Sequence, residues 1–280
     1  MEKSLDSTLF VEERKRRIVS YINENSRVTV AQLSEIFNVS PVTIRKYLND
    51  LHEAGFIRRT HGGAIANIQV NYDPAVEIKS TQFLNEKKAI AKEALKYVRE
   101  GACIALDAGT TVFELAVLLK DFKNLTVITY DLDTAHYLAL NTDVRRFIAG
   151  GEVRKEHHYV KGHIAESCIT GVNIDTYFVT TNGLGIGKGI TTPEMDTANI
   201  KRILMKNSNE HILLTDSSKI DNISFAKFAE FEDIDVLVTD EYADSKFVEY
   251  LKKIGIVVEK AVVNNDDRKK DESSGALCSG

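Results

Sequence analysis

One nine-residue stretch, Ser40-Pro-Val-Thr-Ile-Arg-Lys-Tyr-Leu48, constrains the fold of this 280-residue chain more than any other. Ser40 supplies a side-chain oxygen suited to capping a helix N-terminus. Pro41 follows at the first helical position, where its missing N–H costs nothing and its fixed φ is already helical. Ile44, Leu48 and Leu51 then recur at helical spacing and predict an inward stripe. Thr43, Arg45, Lys46, Tyr47 and Asn49 fall largely on the other side. That outer face carries the groups that meet phosphates and base edges in a DNA major groove.

The flanking residues supply the rest of a small module. Glu12 to Asn25 has helical periodicity, with Ile18, Val19 and Ile22 on one stripe. Arg14, Lys15, Arg16 and Arg17 crowd its start, either as a solvated face or as non-specific phosphate contacts. Val28 to Phe37 predicts a second helix with Thr29 as its cap, and Asn38-Val39-Ser40 is a short turn into the third. Two short helices across such a turn form a helix-turn-helix. Beyond Ala54-Gly55, Phe56 to Ala64 reads as a strand pair with a glycine turn, the wing of a winged helix. The expected DNA contacts are therefore Ser40, Thr43, Arg45, Lys46, Tyr47 and Asn49 on the third helix, with Arg58, Arg59 and His61 on the wing.

Net charge is -5, which by itself argues against a nucleic-acid partner, but the charge is unevenly placed. Residues 1–64 hold 10 Lys and Arg against 8 Asp and Glu, whereas the remainder holds 26 against 33. A mildly basic head on an acidic body fits a DNA-reading module fused to a domain that reads another signal. The chain shows no long apolar run and no signal-peptide pattern at its start, so neither a membrane nor a secreted setting is expected. Cys103, Cys168 and Cys278 lack metal-ligand spacing and read as reduced thiols in a cytoplasm. No cofactor or metal is expected.

Residues 65–78 lack a clean period and read as a linker, and Lys79 to Arg99 as one long amphipathic helix. From Gly101 the pattern alternates. Strands are expected at Cys103–Asp107, Leu125–Thr129, Arg146–Ala149, Thr176–Thr181, His211–Thr215, Val236–Thr239 and Ile256–Glu259. Helices are expected at Val112–Leu119, Leu132–Leu140, Glu194–Asn207 and Ser245–Ile254. Repeated strand–helix units predict an α/β fold with an open, mostly parallel sheet covered on both faces over residues 79–263. A ligand should then sit at the carboxyl ends of the strands.

Several loops fall there. Asp107-Ala-Gly-Thr-Thr111 joins a strand to a helix N-terminus, where close backbone, hydroxyls and free N–H groups make a phosphate cradle. The same turn also reads as an ordinary helix start, and it lacks the Lys-Ser/Thr ending of an ATP loop. Thr181 to Ile190, with four glycines and Lys188, reads as a mobile wall or a surface turn. Lys219, in Asp216-Ser-Ser-Lys219, can put a point charge on a phosphate. Gly150-Gly151 can bring backbone to the same cavity. Residues 264–280 are mixed in charge, nearly free of apolar side chains, and expected to be a disordered tail.

These residues carry a resemblance to the DeoR family of bacterial transcriptional regulators. In the head it rests on Arg14, Ile18 and Ile22, then on Ser40, Thr43, Ile44, Arg45, Lys46 and Leu48. Glu53, Gly55, Ile57, Arg59 and His61 to Ala64 close that pattern. Tyr47 stands where the family usually has Asp. In the body it rests on Leu106 to Thr111, Leu125 to Thr129, Gly150-Gly151, Asn182-Gly183 and Asp216 to Lys219. The second strand runs into Tyr130-Asp131 where relatives often have Asn. The resemblance implies a sensor domain similar in fold to ribose-5-phosphate isomerase, a double-stranded DNA operator, a phosphorylated-sugar effector and a homo-oligomer. It implies Asp107, Gly109, Thr110, Thr111 and Lys219 as the ligand shell, with Gly151, Asn182 and Glu194 as further members. The competing expectation is a sugar-phosphate isomerase using Asp107, Glu194, Lys188 and Lys219; Asn182-Gly183, where such an enzyme would carry acids, weighs against it.

Overall fold

The structure, a computed structural model, describes residues 11–25, 27–66 and 73–263. The tail at 264–280 and the middle of the expected linker, 67–72, lie outside the described residues. The chain divides into two compact units, Met1–Gln82 and Phe83–Gly280.

In the first unit, α1 (Val11–Asn25) is followed by β1 (Arg27–Thr29), α2 (Val30–Phe37) and α3 (Pro41–Glu53). Thr29 caps α2 in a reciprocal box: its hydroxyl accepts from Gln32 N–H, and the Gln32 side chain accepts from Thr29 N–H. Asn38 ends α2 in the left-handed region, a conformation that Asn tolerates. Ser40 then accepts from Thr43 N–H and starts α3, with Pro41 in its first turn. The strands β2 (Ile57–Thr60) and β3 (Gly63–Ala66) pair antiparallel, and β1 adds to the far side of β3. Ile18, Ile22, Leu33, Phe37, Ile44, Leu48, Leu51 and Ile57 form one core. The unit also includes α4 (Val76–Thr81).

The expected single helix over Lys79–Arg99 is broken. It comprises α4, then α5 (Leu84–Ala94) and a short 3-10 turn at Leu95–Tyr97. At the break Phe83 takes a left-handed φ of 52° and its side chain is only 3% exposed. Burying a phenyl ring is worth about 1.5–3 kcal/mol, enough to offset a left-handed residue at roughly 1–2 kcal/mol.

In the second unit, β4 (Cys103–Leu106), α6 (Thr110–Val117), β5 (Thr126–Thr129), α7 (Leu132–Asn141) and β6 (Arg145–Ile148) come first. A hairpin of β7 (Glu152–Arg154) and β8 (Tyr159–Lys161) precedes α8 (His163–Ile169) and β9 (Ile174–Thr180). Then come β10 (Gly183–Gly185), β11 (Gly189–Thr192), α9 (Met195–Lys206), β12 (Ser208–Leu214) and β13 (Ala226–Ala229). β14 (Val236–Asp240), α10 (Ser245–Lys253) and β15 (Val257–Ala261) complete the unit. The main sheet is seven-stranded, in the order β15-β14-β12-β9-β4-β5-β6, and every pairing in it is parallel.

Two apolar cores cover its faces. Ile90, Val112, Leu115 and Leu138 of α5, α6 and α7 lie in one, with Ile104, Leu106 and Phe178 of the sheet. Ala165, Ile200, Leu204, Phe247 and Leu251 of α8, α9 and α10 lie in the other, with Tyr177 and Leu213. The expected mobile loop at 181–190 is instead the hairpin of β10 and β11, joined to β13 in a small antiparallel sheet whose strands are buried. Gly183 and Gly189 admit the backbone of Asn222 and Ala229, while Gly187 and Gly189 make the turn at φ 73° and 74°.

Candidate functional site

On α3 the first unit presents one outward face. Arg45, Lys46 and Asn49 are exposed, while Ile44, Leu48 and Leu51 point into the core. Ser40 and Thr43 meet each other at 2.9 Å while Ser40 also caps the helix, so their hydroxyls set its start before any other contact. Arg58 and His61 are exposed on the wing, and Arg59 is half-buried.

Tyr47 corrects the sequence reading. It is buried in the core, its ring packed with Leu48 and Leu51, and its hydroxyl accepts from Arg14 Nη1 at 3.3 Å. The spacing 44, 47, 48, 51 is that of one helical face; the polar hydroxyl does not override it. The basic run on α1 is also largely internal. Arg14 serves Tyr47, Lys15 pairs with Asp50 at 2.9 Å, Arg16 is buried, and Arg17 is exposed.

The second unit places its polar centre where the strand order of the main sheet reverses, between β4 and β9. Such a switch point opens a crevice at the carboxyl ends of the strands. Asp107, just past β4, is fully buried. One carboxylate oxygen accepts from the Tyr130 hydroxyl. The other accepts from Thr180 N–H at 2.6 Å, from the Thr180 hydroxyl at 2.8 Å and from the Lys201 ammonium of α9. Lys201 is 2% exposed and also donates to Thr180 O at 3.0 Å. Burial pushes the Tyr130 and Tyr177 hydroxyls well above their usual range, and the neighbouring Asp107 carboxylate pushes the same way. Both tyrosines stay neutral, and Tyr130 donates to Asp107.

This network fixes the loop above it. Gly109 precedes α6 at φ 152°, and a Cβ there would sit 3.2 Å from the Thr180 hydroxyl. No side chain caps α6, whose first residues are Thr110 and Thr111. The N–H groups of that turn therefore lack a side-chain acceptor, the arrangement that receives an anion.

The β7–β8 hairpin packs beside Tyr130: Val160 N–H donates to Tyr130 O at 2.8 Å, and the rings of Tyr130 and Tyr159 meet edge to face. Gly151 enters the hairpin at φ 152°, where a Cβ would lie 2.7 Å from Lys161 O. Arg154 donates to the Tyr159 hydroxyl at 2.6 Å and sits 3.3 Å from Glu194, the residue before α9. Lys161 lies 3.7 Å from Glu194, 3.9 Å from Asp196 and 3.9 Å from Glu152.

The DeoR-like helix-turn-helix domain matches residues 14–70, and the DeoR C terminal sensor domain matches residues 82–241. The chain belongs to the DeoR family. Among its relatives, the HTH-type transcriptional regulator GlpR of Haloferax volcanii is 34% identical over 88% of this chain and 96% of its own length. The transcriptional repressor AccR of Agrobacterium fabrum is 33% identical over 82% of this chain and 89% of its own. A solved D-ribose-5-phosphate isomerase in complex with phospho-erythronic acid aligns at 17% identity and a TM-score of 0.36, over 48% of this chain and 52% of that one. This DeoR-family chain is accordingly a DNA-binding transcriptional regulator, with a helix-turn-helix head and a parallel α/β sensor domain.

The expected ligand shell of the family divides in the structure. Gly109, Thr110 and Thr111 form the loop at the switch point. Lys219 ends a 3-10 turn directly after β12, whose start is capped by Asp216. Glu194 and Gly151 go with the hairpin, and Asn182 is half-buried, accepting from the Thr192 hydroxyl at 3.3 Å. Asp107 needs correction: it lies beneath the loop with both oxygens engaged, a support and not a lining residue. Lys188 is exposed at the tip of the β10–β11 hairpin. Lys201, Thr180, Arg154 and Lys161 were missed. For Lys201 a signal existed, since it stands three or four residues from buried Thr197, Ala198, Leu204 and Met205. A lysine on an apolar stripe requires a buried acid. Among the described residues no helix is long and apolar enough to cross a membrane, and no group of three or more His, Cys, Asp or Glu could hold a metal ion.

Proposed function

We propose that this regulator is a cytoplasmic repressor that binds operator DNA as a homo-oligomer and changes its affinity when a phosphorylated sugar occupies the second unit. In this reading Arg45, Lys46 and Asn49 of α3 meet the major groove, and Arg58 and His61 of the wing meet backbone phosphates. The effector phosphate rests on the Gly109-Thr110-Thr111 turn, with Lys219 as its counter-charge. The sugar end faces Glu194, Arg154 and Asn182. The observation that carries the effector site is the uncapped start of α6, held at the switch point of a parallel sheet by the buried Asp107–Thr180–Lys201 network.

Catalysis is disfavoured by the same network. An isomerase needs an acid or base that reaches the substrate, whereas Asp107 is 0% exposed and engaged on both oxygens. Repression relieved or reinforced by effector requires only that the ligand bind one arrangement of the protein better than the other.

The test is a thermal-shift screen of the full-length protein against phosphorylated sugars, followed by operator titration with any hit. A ligand at one hundred times its Kd stabilises the native state by about 2.7 kcal/mol. Lys219→Ala is expected to leave operator binding unchanged and to weaken the effector at least tenfold. An effector that binds Lys219→Ala as tightly as the parent, or that binds equally without its phosphate, would overturn the assigned phosphate seat. Conversion of an aldose phosphate to a ketose by the purified protein would overturn the non-catalytic reading.

A further inference from the structure

The outward face of α3 contains a residue that neither its fold nor its charge explains. Val42, in the first turn, is 73% exposed. It stands at i relative to Arg45, Lys46 and Asn49 at i+3, i+4 and i+7, so it lies in the same stripe and at its N-terminal end. The buried residues Ile44, Tyr47, Leu48 and Leu51 lie on the opposite face. A β-branched residue is a mediocre helix former, so Val42 does not serve the helix. It makes no part of the core of its unit.

We infer that Val42 is a specificity-determining residue that reads the C5-methyl of a thymine in the operator. Recognition helices of this type contact base edges through their N-terminal residues. The major-groove edges of G, C and A present donors and acceptors only; thymine alone presents a methyl group, and apolar side chains meet it. A valine at the N-terminal end of the contact face thus selects an A·T pair at one defined position. Three residues along an α-helix rise about 4.5 Å, so that thymine lies within about two base pairs of whatever Arg45 contacts.

The full-length protein is used to enrich binding sites from a random double-stranded DNA pool. Each thymine of the enriched duplex is then replaced in turn by deoxyuridine, which removes only the methyl group. Wild type is expected to bind one substituted position per half-site roughly fourfold more weakly, the value of one buried methyl. Val42→Ala is expected to bind the thymine duplex roughly fourfold more weakly than wild type and to be indifferent to that same replacement. A site pool enriched by Val42→Ala should lose its thymine preference there and keep its preferences elsewhere. Because Val42 is exposed and Ala is the better helix former, the melting temperature should not fall. If every deoxyuridine replacement weakens wild type and Val42→Ala alike, or if none weakens wild type, Val42 does not read thymine and the inference is overturned.

Discussion

Replacing Lys201 by Met isolates the energetic role of the buried centre. The substitution keeps the length and most of the volume of the side chain but removes its charge, leaving the Asp107 carboxylate buried with its two hydroxyl partners and one N–H. Breaking a buried ion pair from one side costs about 3–5 kcal/mol, because the remaining charge is desolvated without compensation. For a unit of this size 1 kcal/mol moves the melting temperature by about 2–4 °C, so a loss of roughly 6–20 °C is expected. The chain has no Trp, and far-UV circular dichroism during urea and thermal unfolding is the suitable probe. The double variant Asp107→Asn/Lys201→Met removes both charges while an amide remains to meet Thr180 and Tyr130. It should recover more than half of the loss, giving a coupling of about 2 kcal/mol between two touching residues. The single variant should also bind the effector weakly, since the floor of the Gly109 loop is disturbed. A loss below about 1 kcal/mol for Lys201→Met, or strictly additive single and double variants, would refute the view that this pair holds the switch point together.

Tyr47→Phe removes only the hydroxyl that accepts from Arg14; operator affinity in a gel-shift titration should stay within about twofold of the parent, as net hydrogen bonds of this kind contribute about 1 kcal/mol to folding and none to DNA here. A tenfold loss with unchanged stability would return Tyr47 to the DNA contacts. Asp131, which caps α7 by accepting from Thr134 N–H at 2.7 Å, is pushed by burial to a pKa of about 7. Its folded pKa lies above the unfolded value, so the penalty for ionising it is absent below about pH 4, grows as pH rises and is complete above about pH 7. Asp131→Asn keeps the cap and should therefore gain stability over the parent progressively between pH 4 and 7, by at most about 4 kcal/mol; a pH-independent difference in urea midpoints would count against it.

Much of the fold was legible because the sheet strands are short apolar runs closed by turn residues. Cys103–Leu106, Thr126–Thr129 and Val236–Asp240 stand out for that reason. The hairpins were not legible in the same way. Glu152–Arg154 (Glu-Val-Arg) and Tyr159–Lys161 (Tyr-Val-Lys) span only three positions each, too few for a period to emerge. The small sheet of β10, β11 and β13 hides behind its glycines, which suggest looseness in sequence. In the fold they permit strands to pass within contact of Asn222 and Ala229 backbone. The break at Phe83 depends on where a ring finds its pocket, which is a tertiary fact.

The misread side chains share one cause. Tyr47 and Lys201 both stand on the buried stripe of an amphipathic helix; the polar end of Tyr47 suggested a DNA contact, and Lys201 was passed over. Helical geometry places a residue before chemistry satisfies it: a side chain at i±3 and i±4 from buried neighbours is inside, and its polar group must then be met there. For Tyr47 the partner is Arg14, which explains why that arginine is drawn inward from the basic run of α1. For Lys201 the partner is Asp107, an acid closing an apolar strand, which cannot be solvated there and needs a cation. Val42 is the converse case. Its position is outside and its chemistry apolar, and the thymine methyl inferred above is the partner that would match it. Discrepancies between position and chemistry thus mark two kinds of residue: Tyr47 and Lys201, matched internally, and Val42, for which the proposed match is a base on DNA.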